Sequence, residues 1–137
     1  MITIGGIFGR IGVLLIGYLA LRLVLKVIVN LLRQNGKPLP EALKKVVQFV
    51  NKTHRLVGIS AVSVIIAHFV LQYSRFNYIP LAGLLAGLAL FFQAGAGLLM
   101  RAEKDKAKRQ KFVVAHTVWG LILIFAVLNH RLKIFKI

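Results

Sequence analysis

The chain has 137 residues, of which 58% are hydrophobic, and its mean hydropathy is +0.80. These values lie outside the usual range of soluble domains and are typical of an integral membrane protein. The sequence contains no cysteine. This excludes disulfides and every cofactor that is attached or held through cysteine sulfur.

Four segments are long and apolar enough to cross a bilayer, which takes ~20 mostly apolar residues. They predict membrane spans at about 2–32, 54–73, 78–100 and 112–130. The first segment lacks a basic start followed by a small-residue cleavage site, so we expect a retained span rather than a signal peptide. The prediction is an all-α integral membrane protein, a four-helix bundle that forms a single transmembrane domain over 1–137.

Three basic residues fall within the first predicted span. Arg22 and Lys26 lie one helical turn apart, and we expect both side chains to reach toward the cytoplasmic headgroups. Arg10 lies at a depth where it either reaches the outer surface or pairs with a buried anionic group.

Residues 40–53 follow the helix-breaking segment "NGKPLP" and precede the second span. Apolar residues recur there at i, i+3, i+4 and i+7, from Leu43 to Val50, which predicts an amphipathic helix. No breaker separates it from the second span. It is therefore either a separate cytoplasmic helix or an extension of that span.

The basic residues are concentrated in two of the three links. Six lysines and arginines lie between residues 33 and 55, six more lie between 101 and 111, and the short link between spans two and three has only Arg75. The positive-inside rule therefore places both basic links in the cytoplasm and both termini outside, in a multi-pass protein of the cytoplasmic membrane. Topology and attraction to anionic lipid account for the net charge of +16 without nucleic acid. Docking of an acidic soluble partner on these links is a second interpretation.

All four histidines lie in two of the spans, His54 and His68 in the second and His116 and His130 in the fourth. Both intervals are fourteen residues, about four turns of a helix in a left-handed bundle, so the two histidines of each helix point the same way. They are ~21 Å apart along the axis at 1.5 Å per residue. Because the two spans run parallel, they predict a cytoplasmic pair and an outer pair.

One imidazole from each of two facing helices, at two levels, is the arrangement that binds two stacked b-type haems. Two axial imidazoles complete the coordination of each iron, which favours electron transfer. A zinc site would gather more ligands at one level and usually recruit acids, but Glu41, Glu103 and Asp105 all lie in the links. The alternative for the histidines is interhelical hydrogen bonding, or, at the span ends, an interfacial position.

A flat macrocycle between helices requires small residues, and glycine meets that need. Gly83 and Gly97 in the third span are fourteen residues apart, in step with the histidines, and Gly5, Gly9 and Gly12 lie toward the outer level of the first span. An ordinary small-residue helix contact at "AGLLAG" is the alternative.

Two arginines follow predicted ligands directly, Arg55 on the inner side and Arg131 on the outer side. Each is a candidate to pair with haem propionates, and each also fits the charge pattern of the topology.

Two motifs resemble the haem-binding helices of the ferric reductase and NADPH oxidase transmembrane superfamily. "HRLVG", followed by a second histidine, resembles the first of these helices, and "AHTVWGLILIFAVLNH" resembles the second. The matching residues are His54, Arg55, Gly58, His68, His116, Gly120 and His130. The resemblance covers spans two to four.

The resemblance implies two bis-histidyl b haems that carry electrons from a cytoplasmic donor to an acceptor outside. His54 and His116 would hold the inner haem, and His68 and His130 the outer haem. The chain differs from the larger members in having four predicted helices rather than six and no flavin or nicotinamide domain. Its electrons must therefore come from another protein or from a quinol.

The sequence thus predicts a dihaem b-type cytochrome, alone or as the membrane subunit of an oxidoreductase complex. It would relay electrons between a redox partner protein and a quinone pool or an external acceptor. Two alternatives remain open: a membrane anchor or assembly subunit without cofactor, and a quinone-binding anchor with a single haem.

Overall fold

The computed structural model describes residues 4–132 of the chain as four α-helices. They are α1 (Ile4–Gln34), α2 (Glu41–Phe76), α3 (Leu81–Ala102) and α4 (Lys106–Leu132). Each is long and apolar enough to cross a membrane. The all-helical class and the four spans are confirmed, while the predicted start at residue 2 and the positions of both termini lie outside the described residues.

Helix boundaries follow the breakers in the sequence. Gly36 has a left-handed backbone (φ 64°), and the amide of Lys37 donates to the carbonyl of Leu32 at 2.9 Å, which closes the end of α1. Pro40 and Pro80 are the N-cap residues of α2 and α3. Proline suits this position because it has no amide hydrogen to leave unpaired.

The two other turns use a polar residue each. Asn77 ends α2 in the left-handed conformation (φ 49°), with its amide bonded to the carbonyl of Tyr73 at 2.8 Å. Asp105 begins α4, where its Oδ1 accepts from the amides of Ala107 at 2.7 Å and Lys108 at 3.2 Å. Both short links are therefore fixed by local hydrogen bonds.

Helix α2 runs for 36 residues without a break. Residues 41–53 are therefore its first part rather than a separate helix. At 1.5 Å per residue α2 is ~54 Å long, well beyond the ~30 Å of a hydrocarbon core. One end of α2 must extend past the membrane.

The bundle consists of two helical hairpins. Helix α1 packs along α2, and α3 packs along α4, whereas the two hairpins touch each other much less. Across the described residues α2 and α4 lie on a diagonal, with no Cα pair within 8 Å. Four residues near the middle form the core between the hairpins: Ile16, Ala89, Leu90 and Leu123.

The outer surface of the bundle is apolar. Leu14 is 74% exposed, and Phe91 and Phe125 are each 71% exposed. Large apolar side chains on all four helices face outward in this way, as expected for helices in contact with lipid.

Candidate functional site in the two histidine cavities

The diagonal helices bring one histidine pair together near the basic links. The ring centroids of His54 on α2 and His116 on α4 are 6.3 Å apart, and the ring planes make an angle of 79°. We call this the inner pair. It bridges the gap between two helices whose backbones do not touch.

The separation of the inner pair fits a shared metal ion. An imidazole nitrogen binds a transition metal at ~2 Å, and the ring centre lies ~1 Å behind that nitrogen. Two imidazoles on opposite sides of one metal therefore have centroids ~6 Å apart. The same distance also suits an edge-to-face ring contact, so the surroundings of the rings must distinguish the two.

The other two histidines form the outer pair at the opposite end. His68 on α2 and His130 on α4 line one cavity of about 570 Å³. The inner pair lines a second cavity of about 550 Å³. Both volumes lie in the range of small-molecule and cofactor pockets, ~300–1,000 Å³.

Two core side chains separate these cavities. Ile16 and Leu123 line both of them, and they are only 6% and 2% exposed. Each histidine pair thus has its own cavity, and the cavities are stacked along the bundle with an apolar layer between them.

One histidine of each pair is oriented by a backbone carbonyl. Nδ1 of His68 donates to the carbonyl of Gly5 at 2.8 Å, and Nδ1 of His116 donates to the carbonyl of Gln93 at 2.8 Å. Because a carbonyl can only accept, Nδ1 carries a hydrogen in both rings, and in the neutral form of such a ring Nε2 is the nitrogen with a lone pair. Such a bond to the far nitrogen is what usually orients a metal-binding histidine.

Two buried polar atoms at the inner level have no partner in the described chain. They are Nδ1 of His54 and Oε1 of Gln93, and both residues line the inner cavity. Buried polar atoms are nearly always hydrogen-bonded. The two atoms therefore indicate a site that the protein side chains alone do not complete.

Three of the four imidazoles rest against a glycine of a neighbouring helix. A Cβ added to Gly83 would lie 3.2 Å from Cε1 of His130, and one added to Gly97 would lie 3.2 Å from Cε1 of His116. A Cβ at Gly9 would lie 2.9 Å from Cε1 of His68. Gly83 and Gly97 thus face the histidines with which they share the fourteen-residue interval, and each makes room for a ring.

The basic residues predicted as propionate partners lie in different surroundings. Arg131 lines the outer cavity. Arg55 is exposed and lies outside the lining of both cavities, as does Arg10. Arg22 and Lys26, which we expect to reach toward the cytoplasmic headgroups, are exposed and also line the inner cavity.

Several residues of the inner cavity were not singled out from the sequence. Arg33 and Arg109 line it, and so does Gln93, whose carbonyl orients His116. Gln93 is the only polar side chain in the apolar run of the third span, which was a usable signal. The arginines gave no such signal because their charge matched the topology pattern.

The residues present fit a cofactor that takes two axial nitrogen ligands. In the range 4–132 no three histidine or acidic side chains converge on one point, and the histidines meet in pairs instead. The four histidines, the two unpartnered polar atoms and two of the three glycines, Gly9 and Gly83, belong to residues that line these cavities.

Comparisons with known proteins give no relative: no family model matches the sequence, and no curated protein and no solved structure matches it.

Proposed function

We propose that this protein is a dihaem b-type cytochrome that transfers electrons across the cytoplasmic membrane. The main support is the presence of two histidine pairs, each in its own cavity, stacked between two diagonal helices. His54 and His116 would hold the inner haem, and His68 and His130 the outer haem. A bound haem supplies a one-electron redox centre at each level.

The protein contributes ligand orientation and an apolar layer between the two sites. The carbonyls of Gly5 and Gln93 fix the rings of His68 and His116, and a hydrogen bond of this kind raises the basicity of the metal-binding nitrogen. Two imidazoles per site would leave no open position for oxygen or peroxide. Ile16 and Leu123 keep water out of the layer between the sites.

Electrons would enter from a redox partner protein or a quinol and leave to a quinone pool or an external acceptor. The resemblance to the ferric reductase and NADPH oxidase superfamily favours transfer from the cytoplasm outward. The basic links would then face the cytoplasm, where they could dock an acidic partner.

A second candidate is a cofactor-free anchor or assembly subunit, in which the histidines serve as interhelical hydrogen-bonders. The bonds from His68 to α1 and from His116 to α3 favour it. They do not account for the free Nε2 of either ring or for His54 and His130. A quinone-binding anchor with one haem is a further variant.

Absorption spectroscopy of the purified protein tests the proposal. We expect a Soret band, sharp α and β bands on reduction, and two haems per chain. His68→Ala and His116→Ala should each lose one haem because each removes one axial ligand. Val114→Ala is the matched control, since Val114 lies two residues before His116 on α4, is 54% exposed and lines neither cavity.

The number of haems distinguishes the candidates. A protein purified without haem that also fails to take it up would contradict the proposal and favour the cofactor-free anchor. One haem per chain would favour the single-haem variant. Two haems that both survive His68→Ala would refute the ligand assignment.

A further inference from the structure

The two cavities differ sharply in charge. Four basic side chains line the inner cavity, and we call them the inner cation cluster: Arg22, Lys26, Arg33 and Arg109. The outer cavity is lined by Arg131 alone among basic residues of the described chain. No acidic residue in that part of the chain lines either cavity.

The three acids of the chain are engaged elsewhere. Glu41 pairs with Lys44 at 3.2 Å on the surface of α2. Asp105 caps α4, and Glu103 accepts from the amide of Asp105 at 3.0 Å. The inner cation cluster therefore has no acidic residue of the described chain in its cavity. Its four side chains are exposed, and an anionic ligand in the cavity would reduce their mutual repulsion.

One member of the cluster is held in position by a neighbour. Nε of Arg22 donates to Oδ1 of Asn51 at 2.9 Å, across the contact between α1 and α2. The two terminal nitrogens of the guanidinium remain to bind an anion, and this planar fork is the geometry that pairs with a carboxylate. Arg22 is thus oriented in the cavity that also holds the inner histidine pair.

We propose that the inner cation cluster is a carboxylate-binding site that holds the propionates of the inner haem and gives that haem the higher reduction potential of the two. This inference rests on the proposed function. Reduction adds an electron, so nearby positive charge stabilises the reduced form. The inner site has four such charges and the outer site has one.

A redox titration of the purified full-length protein, followed in the α band, tests the inference. The unsubstituted protein should show two one-electron components. Arg22→Gln and Lys26→Gln should each move the same component, the higher one, to lower potential. A unit charge about 10 Å from a redox centre changes the redox equilibrium on the order of tenfold at an effective dielectric constant of ~20, which is about 60 mV for one electron.

Two matched variants show whether the effect belongs to the cavity. Arg131→Gln should lower the other component. Arg55→Gln should leave both components in place, because Arg55 adjoins His54 in sequence but lines neither cavity. Equal shifts of both components, or a shift from Arg55→Gln as large as that from Arg22→Gln, would refute the inference.

The anionic group could instead be the phosphate of a lipid headgroup. Reconstitution with haem or with its dimethyl ester distinguishes the sources. If the cluster binds propionates, Arg22→Gln should speed haem release at one site and have no such effect with the ester. If the substitution acts only in vesicles containing phosphatidylglycerol, and equally with haem and ester, lipid is the ligand and the inference fails.

Haem content separates this result from the proposed function. Two haems per chain with no selective shift would overturn only the role of the inner cation cluster. A chain without haem would overturn both.

Discussion

At the scale of single residues, the site depends on histidine rings that pack against glycines, where a larger residue would collide with the ring. Gly97 faces His116, and a Cβ there would lie 3.2 Å from both Cε1 and Nδ1 of the ring. That distance is tighter than ordinary van der Waals contact, so the imidazole would have to move. Its hydrogen bond to the carbonyl of Gln93 fixes the same nitrogen and would be distorted.

Gly97→Ala should therefore lower the occupancy of one haem and destabilise the bundle by about 1–3 kcal/mol, the usual cost of overpacking. Gly95→Ala is the matched control, since it lies on the same helix and its Cβ would meet nothing within 4 Å. There the loss of glycine flexibility should add about 0.5–1 kcal/mol of stability. Haem content and thermal unfolding measure both effects, and equal behaviour of the two variants would contradict this role of Gly97.

At the scale of elements, side-chain hydrogen bonds join α1 to α2 beside the inner histidine pair. The hydroxyl of Thr53 donates to the carbonyl of Phe49 at 2.9 Å, so the Tyr18 hydroxyl donates to Thr53 Oγ1 at 2.5 Å. Arg22 and Asn51 make another bond between these helices at the same end of the bundle, one turn further along α1. Together these bonds hold the cations of α1 close to His54.

Thr53→Val keeps the shape of the side chain but removes the acceptor for Tyr18. We expect a loss of about 1 kcal/mol, the typical net value of one hydrogen bond, and a weaker hold on the inner haem. Ser63→Ala on the same helix removes only a bond to the carbonyl of Ile59 and should change little. Thermal unfolding in detergent compares the stability of the two variants. A Ser63→Ala protein less stable than the Thr53→Val protein would argue against a stabilising role for the bond between Tyr18 and Thr53.

The helices also show how much of the fold and of the candidate site could be predicted from the sequence. Hydropathy located all four spans, because the cost of exposing backbone to lipid forces each apolar run to be one helix. The fourteen-residue interval predicted that His54 and His116 face each other, because the helical period determines the direction in which each side chain points. The helical period does not show which helix packs alongside, so the contact between Gly9 of α1 and His68 of α2 could not be predicted. A long arginine reaches several ångströms from its Cα, so the depth of Arg22 in the span did not show that its side chain lines the inner cavity.

At the scale of the whole molecule, the two hairpins meet at one apolar layer, with a cavity on either side of it. Each hairpin is closely packed within itself, while contact between hairpins is concentrated in the apolar layer around Ile16 and Leu123. Protein interiors are normally packed to crystal-like density. If the protein is the dihaem cytochrome proposed here, filling the cavities on both sides of the central layer should stabilise the joined hairpins.

The orientation that the charge pattern predicts for this bundle in the membrane can be measured directly. The chain has no cysteine, so a single introduced thiol reports one position without background. Ser74 lies exposed at the end of α2 beside the short link, and Lys108 lies exposed in the first turn of α4 beside a basic link. The positive-inside rule places Ser74 outside and Lys108 in the cytoplasm.

In intact cells, a membrane-impermeant maleimide should label Ser74→Cys at once and label Lys108→Cys only after permeabilisation. The unsubstituted chain is the control for background. If the pattern is reversed, the basic links face outward, and the inner cation cluster and its histidine pair would lie on the outer side of the membrane. Electrons from a cytoplasmic donor would then reach His68 and His130 first, so this labelling result fixes the order in which the two sites are used.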